Sequence, residues 1–491
     1  MNKILEKHVY EVTLQYLTKN KLIHRRQFGF QPGKRVSMLL NELTEEVYKN
    51  LDDGKATMCI MLDYQKAFDT LGHKKILKAL KDVGVNGMMY AWFKEYLRER
   101  KYEVNALNVD SERMDLDSGV PQGSFLGPLL FILVTNSLWD YVRDGELYMY
   151  ADDACILLSD KSTENLYKRA QKTFNIVQAW SHDHGLKLNA SKTKYMIIID
   201  ERKRDKGKGQ LVVHDLECLH ERERNGCGCK LMIERVKSAK YLGVWIDEHF
   251  TWKVHVSHLR DKLRACLAAL VRMGRRADMK IRKLVYMALG DSHLNYGITA
   301  WGNCNLTERK KLIRLQNKIL RCIFGENYWE KSRDNGIMGL ERKFIYRNFV
   351  ESYFDNTHRI ERETVRVTRA SSSASYVLPK IRTEYGRKRQ AYIIPKIWEI
   401  LPASLKDLVT YKGVKLFGKE WAFSLKRTDF ENHFKIKMKP KLVTLKKKNL
   451  GNKKERKKNH HERTTTKQKK DRVILLSSLV PKFKFNSLTF F

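Results

Sequence analysis

Tyr150-Ala151-Asp152-Asp153 stands between two apolar runs, Leu147 to Met149 before it and Ala154 to Leu158 after it. Runs of that length predict the arms of a β-hairpin, with the two acids at its turn. Adjacent carboxylates repel each other and lose hydration when a fold crowds them, so the pair is costly unless a cation sits beside it. The pair therefore marks a metal site. A hard divalent cation takes several carboxylate oxygens, which calls for a third acid from elsewhere in the chain. Asp63 fits, because it directly follows the strand-length apolar run Thr57 to Leu62, where a buried strand would reach the edge of its sheet. Taken alone, Asp63 reads better as a helix N-cap; beside the Asp152 pair the metal role is favoured.

Two cations held by Asp63, Asp152 and Asp153 would activate an attacking 3′ hydroxyl and stabilise a leaving pyrophosphate in an in-line phosphoryl transfer. Charge agrees. The 491 residues carry 95 Lys and Arg against 56 Asp and Glu, a formal +39. Such a surface gains by releasing the counterions condensed on a phosphate backbone, so the expected partner is nucleic acid. The eight cysteines are scattered, and the opening Met1-Asn2-Lys3-Ile4-Leu5-Glu6 has no secretory pattern. We therefore expect an intracellular protein, nuclear or cytoplasmic, with free thiols. The longest apolar stretch, Phe125 to Val134, contains Gly and Pro and is too short to span a bilayer, so no membrane span is expected.

Helical spacing appears in Leu40, Leu43, Val47 and Leu51, ending at Gly54, and again in Ile76, Leu77, Leu80 and Val83, ending at Gly84. A helix with Pro128 in its first turn is expected to run to Trp139. Another carries Leu166, Ala170, Phe174, Val177 and Trp180 and closes at Gly185. Residues 201–235 are polar, charged and Gly-containing, and read as a loop or insertion. His214, Cys218, His220, Cys227 and Cys229 lie inside it, but their spacing does not match the paired Cys-x2-Cys zinc pattern, so a bound metal is not favoured there. Residues 238–330 read as mainly helical, with Leu312, Leu315, Ile319 and Ile323 on one face. From Lys435 to Arg472 there are 17 basic and 3 acidic residues, a composition that predicts disorder. That run either holds RNA electrostatically or is translated non-coding sequence.

Leu62-Asp63-Tyr64-Gln65-Lys66-Ala67-Phe68-Asp69, the stretch Ser118-Gly119-Val120-Pro121-Gln122-Gly123-Ser124 continuing to Leu130, and the Tyr-Ala-Asp-Asp box follow one another in an informative order. After them come Gly185-Leu186-Lys187-Leu188-Asn189-Ala190-Ser191-Lys192-Thr193 and Tyr241-Leu242-Gly243-Val244. In order and spacing these five segments resemble the reverse transcriptase of jockey-like non-long-terminal-repeat retrotransposons, and a looser likeness continues to about Trp421.

The resemblance implies an α+β right-hand polymerase. Partial fingers would occupy residues 1–55, a palm with an antiparallel sheet and helices 56–200, and the loop or insertion 201–235. A helical thumb would take 236–330, a C-terminal extension 331–430 and the basic low-complexity tail 431–491. It implies RNA-directed DNA polymerase activity with two Mg²⁺ ions, Mn²⁺ being the alternative, on an RNA template, a DNA primer and deoxynucleoside triphosphates. Asp63, Asp152 and Asp153 would be the catalytic and metal-binding acids, and Lys192 would give a proton or charge to the leaving pyrophosphate. Phe68 would exclude the ribose 2′ hydroxyl, where its plain alternative is core packing. Gln122, Gly123 and Tyr150 would contact the substrate. Lys34 and Arg35 would grip the triphosphate, although Gln31 stands where the family usually has Arg. Asp69 reads as a helix-surface or capping acid. The family's fingers begin with strands upstream of the helix that matches Lys3 to Lys7, so the resemblance implies an N-terminally truncated polymerase. The alternative expectation is a remnant that binds nucleic acid without turnover.

Overall fold

The computed structural model describes residues 2–425 except 99, 104, 107–108, 122, 204, 206, 208, 216–217, 220–227, 354–377, 407 and 409. Gln122, His220, Cys227 and the basic tail thus lie outside the described residues. All described residues belong to one compact unit, residues 1–438.

Strand β1 (Ala56–Leu62) is the centre of the architecture, and all seven of its residues are buried. It pairs antiparallel on one side with β3 (Asp153–Asp160) and on the other with β4 (Lys194–Ile198). Strand β2 (Glu146–Tyr150) forms the expected hairpin with β3, and the short β5 (Glu234–Arg235) adds parallel to β4, giving the order β2-β3-β1-β4-β5. Because side chains alternate along a strand, β1 feeds two cores. Met58, Ile60 and Leu62 enter one, together with residues of helices α1 (Asn2–Lys19), α3 (Ala67–Thr70), α4 (His73–Asp82), α5 (Leu126–Thr135) and α6 (Thr163–Asp183). Cys59 and Met61 enter the other. There they meet Leu39, Leu43 and Val47 of α2 (Val36–Asp52), and this second core takes in described residues from Ala239 to Leu425. Burial on both faces is why β1 reads as a continuous apolar run instead of an alternating one.

Two elements differ from expectation. The helix predicted to run to Trp139 ends at Thr135, and a separate turn of helix covers Leu138–Tyr141. The break is held by Asn136, whose amide accepts from the His24 N–H at 2.7 Å and donates to the Leu22 carbonyl at 3.0 Å, tying the N-terminal segment to the palm. Residues 238–247, expected within a mainly helical region, form a hairpin of β6 (Ser238–Tyr241) and β7 (Val244–Asp247). Its two-residue turn has Leu242 at φ 45° and Gly243 at φ 82°, the left-handed pair that a tight hairpin requires. Helices then dominate, including α7 (Lys253–Met273), α8 (Leu306–Phe324), α9 (Leu340–Tyr353), α10 (Gln390–Glu399) and α11 (Tyr411–Ser424). The stretch that leads into α10 returns to α2. The Asp52 carboxylate accepts from the Thr383 N–H at 2.6 Å, and Arg389 pairs with Glu45 at 2.8 Å. No helix among the described residues is long and apolar enough to cross a membrane.

Candidate active site

The register of the central strands brings the acids together. Leu62 pairs with Ala154, so Asp63 leaves β1 directly across from Asp153, the first residue of β3. Asp152 occupies the hairpin turn one residue earlier, after Ala151 in the left-handed region at φ 59°. Burial of the carboxyl, then the negative charges of Asp152 and Asp63, push Asp153 above the ordinary carboxylate range. Asp153 keeps substantial solvent exposure, so its two acidic neighbours are the part of that shift that bears on metal binding. Among the described residues none of the three acids makes an ion pair. Their ligand oxygens also do not all fall within 4.8 Å of one another.

The backbone around these acids is fixed from several directions. The Asp63 N–H donates to Thr193 Oγ1 at 3.2 Å, and the Asp63 carbonyl accepts from the Asn189 N–H at 2.8 Å. The Gln65 N–H donates to the Lys187 carbonyl at 2.8 Å. The segment Gly185 to Thr193 therefore lies along the acid-bearing end of β1 and sets Lys192 in an exposed turn beside it. On the hairpin side, the Tyr241 hydroxyl lies 3.5 Å from the Asp153 carbonyl, which it reaches from the 238–247 hairpin.

Sequence reasoning missed Gln27. Its side chain is wholly buried, and its amide oxygen accepts from both the Gly29 N–H at 3.0 Å and the Ala151 N–H at 3.1 Å. Neighbouring backbone pairs reinforce the join, with the Phe28 N–H donating to the Met149 carbonyl at 2.8 Å and the Met149 N–H to the Arg26 carbonyl at 3.1 Å. Gly29 is required for this approach, since a Cβ there would stand 2.3 Å from the Ala151 nitrogen. The available signal was a polar Gln between Arg26 and Phe28, but a glutamine that serves a remote turn leaves no local pattern.

Phe68 is half-buried, stacked on Phe131 with ring centroids 4.4 Å apart and edge-on to Phe30 at 6.0 Å. Behind it, the Val120 N–H donates to the Phe68 carbonyl at 2.8 Å and the Gly119 N–H to the Leu71 carbonyl at 2.7 Å. These bonds attach the loop Ser118 to Gly127 to the stretch that follows Asp63. Gly119 has φ 84°, and a Cβ there would meet the Asp69 carbonyl oxygen at 2.9 Å. Gly123, at φ 77°, is exposed and has nothing within 4 Å of its Cβ position. Tyr150 pairs with Asp153 at the end of the hairpin. Lys34 and Arg35 are engaged elsewhere. Lys34 Nζ donates to the Arg25 carbonyl at 2.6 Å and lies 4.8 Å above the Phe28 ring, while Arg35 lies beside Glu351 and Tyr411.

Acids at the adjoining ends of antiparallel strands, with helices packed on both faces of the sheet, define the palm of a nucleic-acid polymerase. The sequence profile of the reverse transcriptase (RNA-dependent DNA polymerase) family matches residues 1–246, and the chain belongs to that family. The "Probable RNA-directed DNA polymerase from transposon BS" of Drosophila melanogaster is 26% identical over 336 residues, covering 66% of this chain and 35% of that protein. The "RNA-directed DNA polymerase from mobile element jockey" of the same organism is 23% identical over 347 residues, covering 68% of this chain and 36% of that protein. The chain thus spans about a third of the length of these relatives. Among solved structures, telomerase from Candida albicans aligns over 67% of this chain and 56% of that chain, at 11% identity and a TM-score of 0.37.

Proposed function

We propose that this chain is an RNA-directed DNA polymerase of a jockey-like element, extending a DNA primer on an RNA template at the cleft formed by Asp63, Asp152 and Asp153. The observation that carries this reading is the register Leu62 to Ala154, which sets Asp63 against the hairpin acids. The cluster suits a hard divalent cation, because its donors are all carboxylate oxygens and the negative charge on Asp153 is opposed by burial and by the two neighbouring acids. When bound, two Mg²⁺ ions, or Mn²⁺ in their place, would make the primer 3′ hydroxyl a better nucleophile and offset charge on the leaving pyrophosphate.

The chain's own groups do the remaining work. Asp63, Asp152 and Asp153 would hold the cations, on a backbone braced by Thr193, Asn189 and Gln27. Phe68, backed by Phe131, blocks the sugar 2′ position and selects deoxynucleotides. Gly123 and Tyr150 give the incoming nucleotide an open backbone surface and an aromatic edge. Lys192 donates a proton or positive charge to the pyrophosphate as it leaves. Lys34 and Arg35 are left out of this assignment, since their cationic ends are already engaged.

Purified chain given a primed RNA template, deoxynucleotides and Mg²⁺ is expected to extend the primer. Asp152→Asn is expected to abolish extension while keeping RNA binding that weakens with salt. Equal extension by the Asn variant, or none by the parent chain, overturns the assignment.

A further inference from the structure

Three soft-donor side chains lie together away from the acid cleft. The ligand atoms of His214, Cys218 and Cys229 are all within 4.8 Å of one another. Backbone pairing produces this. The Val213 N–H donates to the Leu231 carbonyl at 2.8 Å and the Ile233 N–H to the Leu211 carbonyl at 2.9 Å, so two arms of the 201–235 segment run side by side. His214 leaves one arm, Cys229 enters the other, and Cys218 follows His214 by four residues.

Helix α6 anchors one arm. The Gln171 amide exchanges two hydrogen bonds with the backbone of Val212, at 2.8 and 2.9 Å. Gln178, two turns further along the helix, reaches the backbone of His214. The ligand-bearing arm is thus positioned by the palm before any ion binds.

We propose that His214, Cys218 and Cys229 form a Zn²⁺ site that ties the two arms of this excursion to each other. Two thiolates and an imidazole are the donor set that Zn²⁺ prefers, and the hard cations of the acid cleft do not. The spacing fits. With Zn–S about 2.3 Å and Zn–N about 2.05 Å, tetrahedral geometry puts a sulfur and a nitrogen ligand about 3.6 Å apart, and Cys218 Sγ lies 3.5 Å from His214 Nδ1. The Asp215 N–H points at Cys229 Sγ from 3.4 Å, and that sulfur in turn lies 3.6 Å from Asp215 Oδ2, so Asp215 orients it from two sides. Binding releases the two thiol protons to solvent, and the fourth position of the ion is left to water or another donor.

The test is zinc content of the full chain, purified under reducing conditions without a metal-affinity tag, measured by elemental mass spectrometry. About one zinc per chain is expected, retained in Asp152→Asn and lost in the double variant Cys218→Ser, Cys229→Ser. As a check that does not depend on the variant folding, Co²⁺ added to the metal-stripped parent should give the intense near-ultraviolet band of thiolate coordination and tetrahedral visible bands. Absence of zinc together with absence of those bands overturns the proposal. So does zinc that persists in the double variant, or a Cys218 to Cys229 disulfide in the freshly isolated protein.

Discussion

The acid cleft and the thiol–imidazole cluster gather their ligands in different ways. Asp63, Asp152 and Asp153 arrive by strand register at the ends of a sheet buried on both faces, and backbone hydrogen bonds fix them while their charges stay mutually opposed. His214, Cys218 and Cys229 arrive by a short pairing of two arms outside that core, with glutamines of α6 holding one arm. The first suits a reaction that needs hard cations with exchangeable positions. The second suits a soft ion that stays bound.

The largest expected effect separates the two sites. Asp152→Asn should lower primer extension by on the order of 10³-fold, about 4 kcal/mol of transition-state stabilisation, and leave zinc content unchanged. Cys218→Ser with Cys229→Ser should do the reverse, removing zinc while extension in saturating Mg²⁺ stays within about 2-fold, as expected of a change remote from the reacting atoms. Matched loss of both properties in either variant would erase the distinction.

Gly29→Ala comes next. Its Cβ would stand 2.3 Å from the Ala151 nitrogen and push the hairpin turn from its place. A clash of this kind costs roughly 1–3 kcal/mol, and extension should fall by roughly 10–100-fold in single-turnover assays while zinc is untouched. Phe68→Ala should leave deoxynucleotide addition largely intact and raise ribonucleotide incorporation by about 10–100-fold, read from competition between the two nucleotide types. Unchanged discrimination would return Phe68 to a packing role against Phe131.

The smallest effect concerns charge. Asp153 sits above its ordinary value of 3.8, so between that value and its raised one the folded protein keeps a proton that the unfolded chain has released. Stability of the metal-free protein therefore falls as pH rises through that window. Asp153→Asn should melt at higher temperature than the metal-free parent at neutral pH, and the difference should close as pH drops below 3.8. Mg²⁺ should stabilise the parent more than the variant. An unchanged difference across pH would mean that Asp153 is not opposed by its acidic neighbours.

Much of the acid cleft was legible because its signals are local. A seven-residue buried strand ending just before Asp63 and a hairpin turning at Asp152 both announce themselves as apolar runs with an acid at the end. Other parts of the site depend on contacts that leave no periodicity. Gln27 reaches Ala151 across 124 residues, and Asn136 breaks a helix because its amide serves the backbone at Leu22 and His24. Leu242 concealed a hairpin turn, since Asn or Asp is the usual residue at that left-handed position. The spacing of His214, Cys218 and Cys229 matched no zinc pattern, because strand pairing rather than a tight loop closes the distance between the arms.

The convergence of three acids on one metal site is tested most directly by replacing Mg²⁺ with Fe²⁺ in the full chain and letting locally generated hydroxyl radicals cut the backbone. Cleavage is expected at two places distant in sequence, around Asp63 and around Tyr150 to Asp153, with both sets of cuts suppressed by Mg²⁺ and both lost in Asp152→Asn. Cuts confined to one of the two segments, or cuts at Asp63 that survive Asp152→Asn, would contradict it.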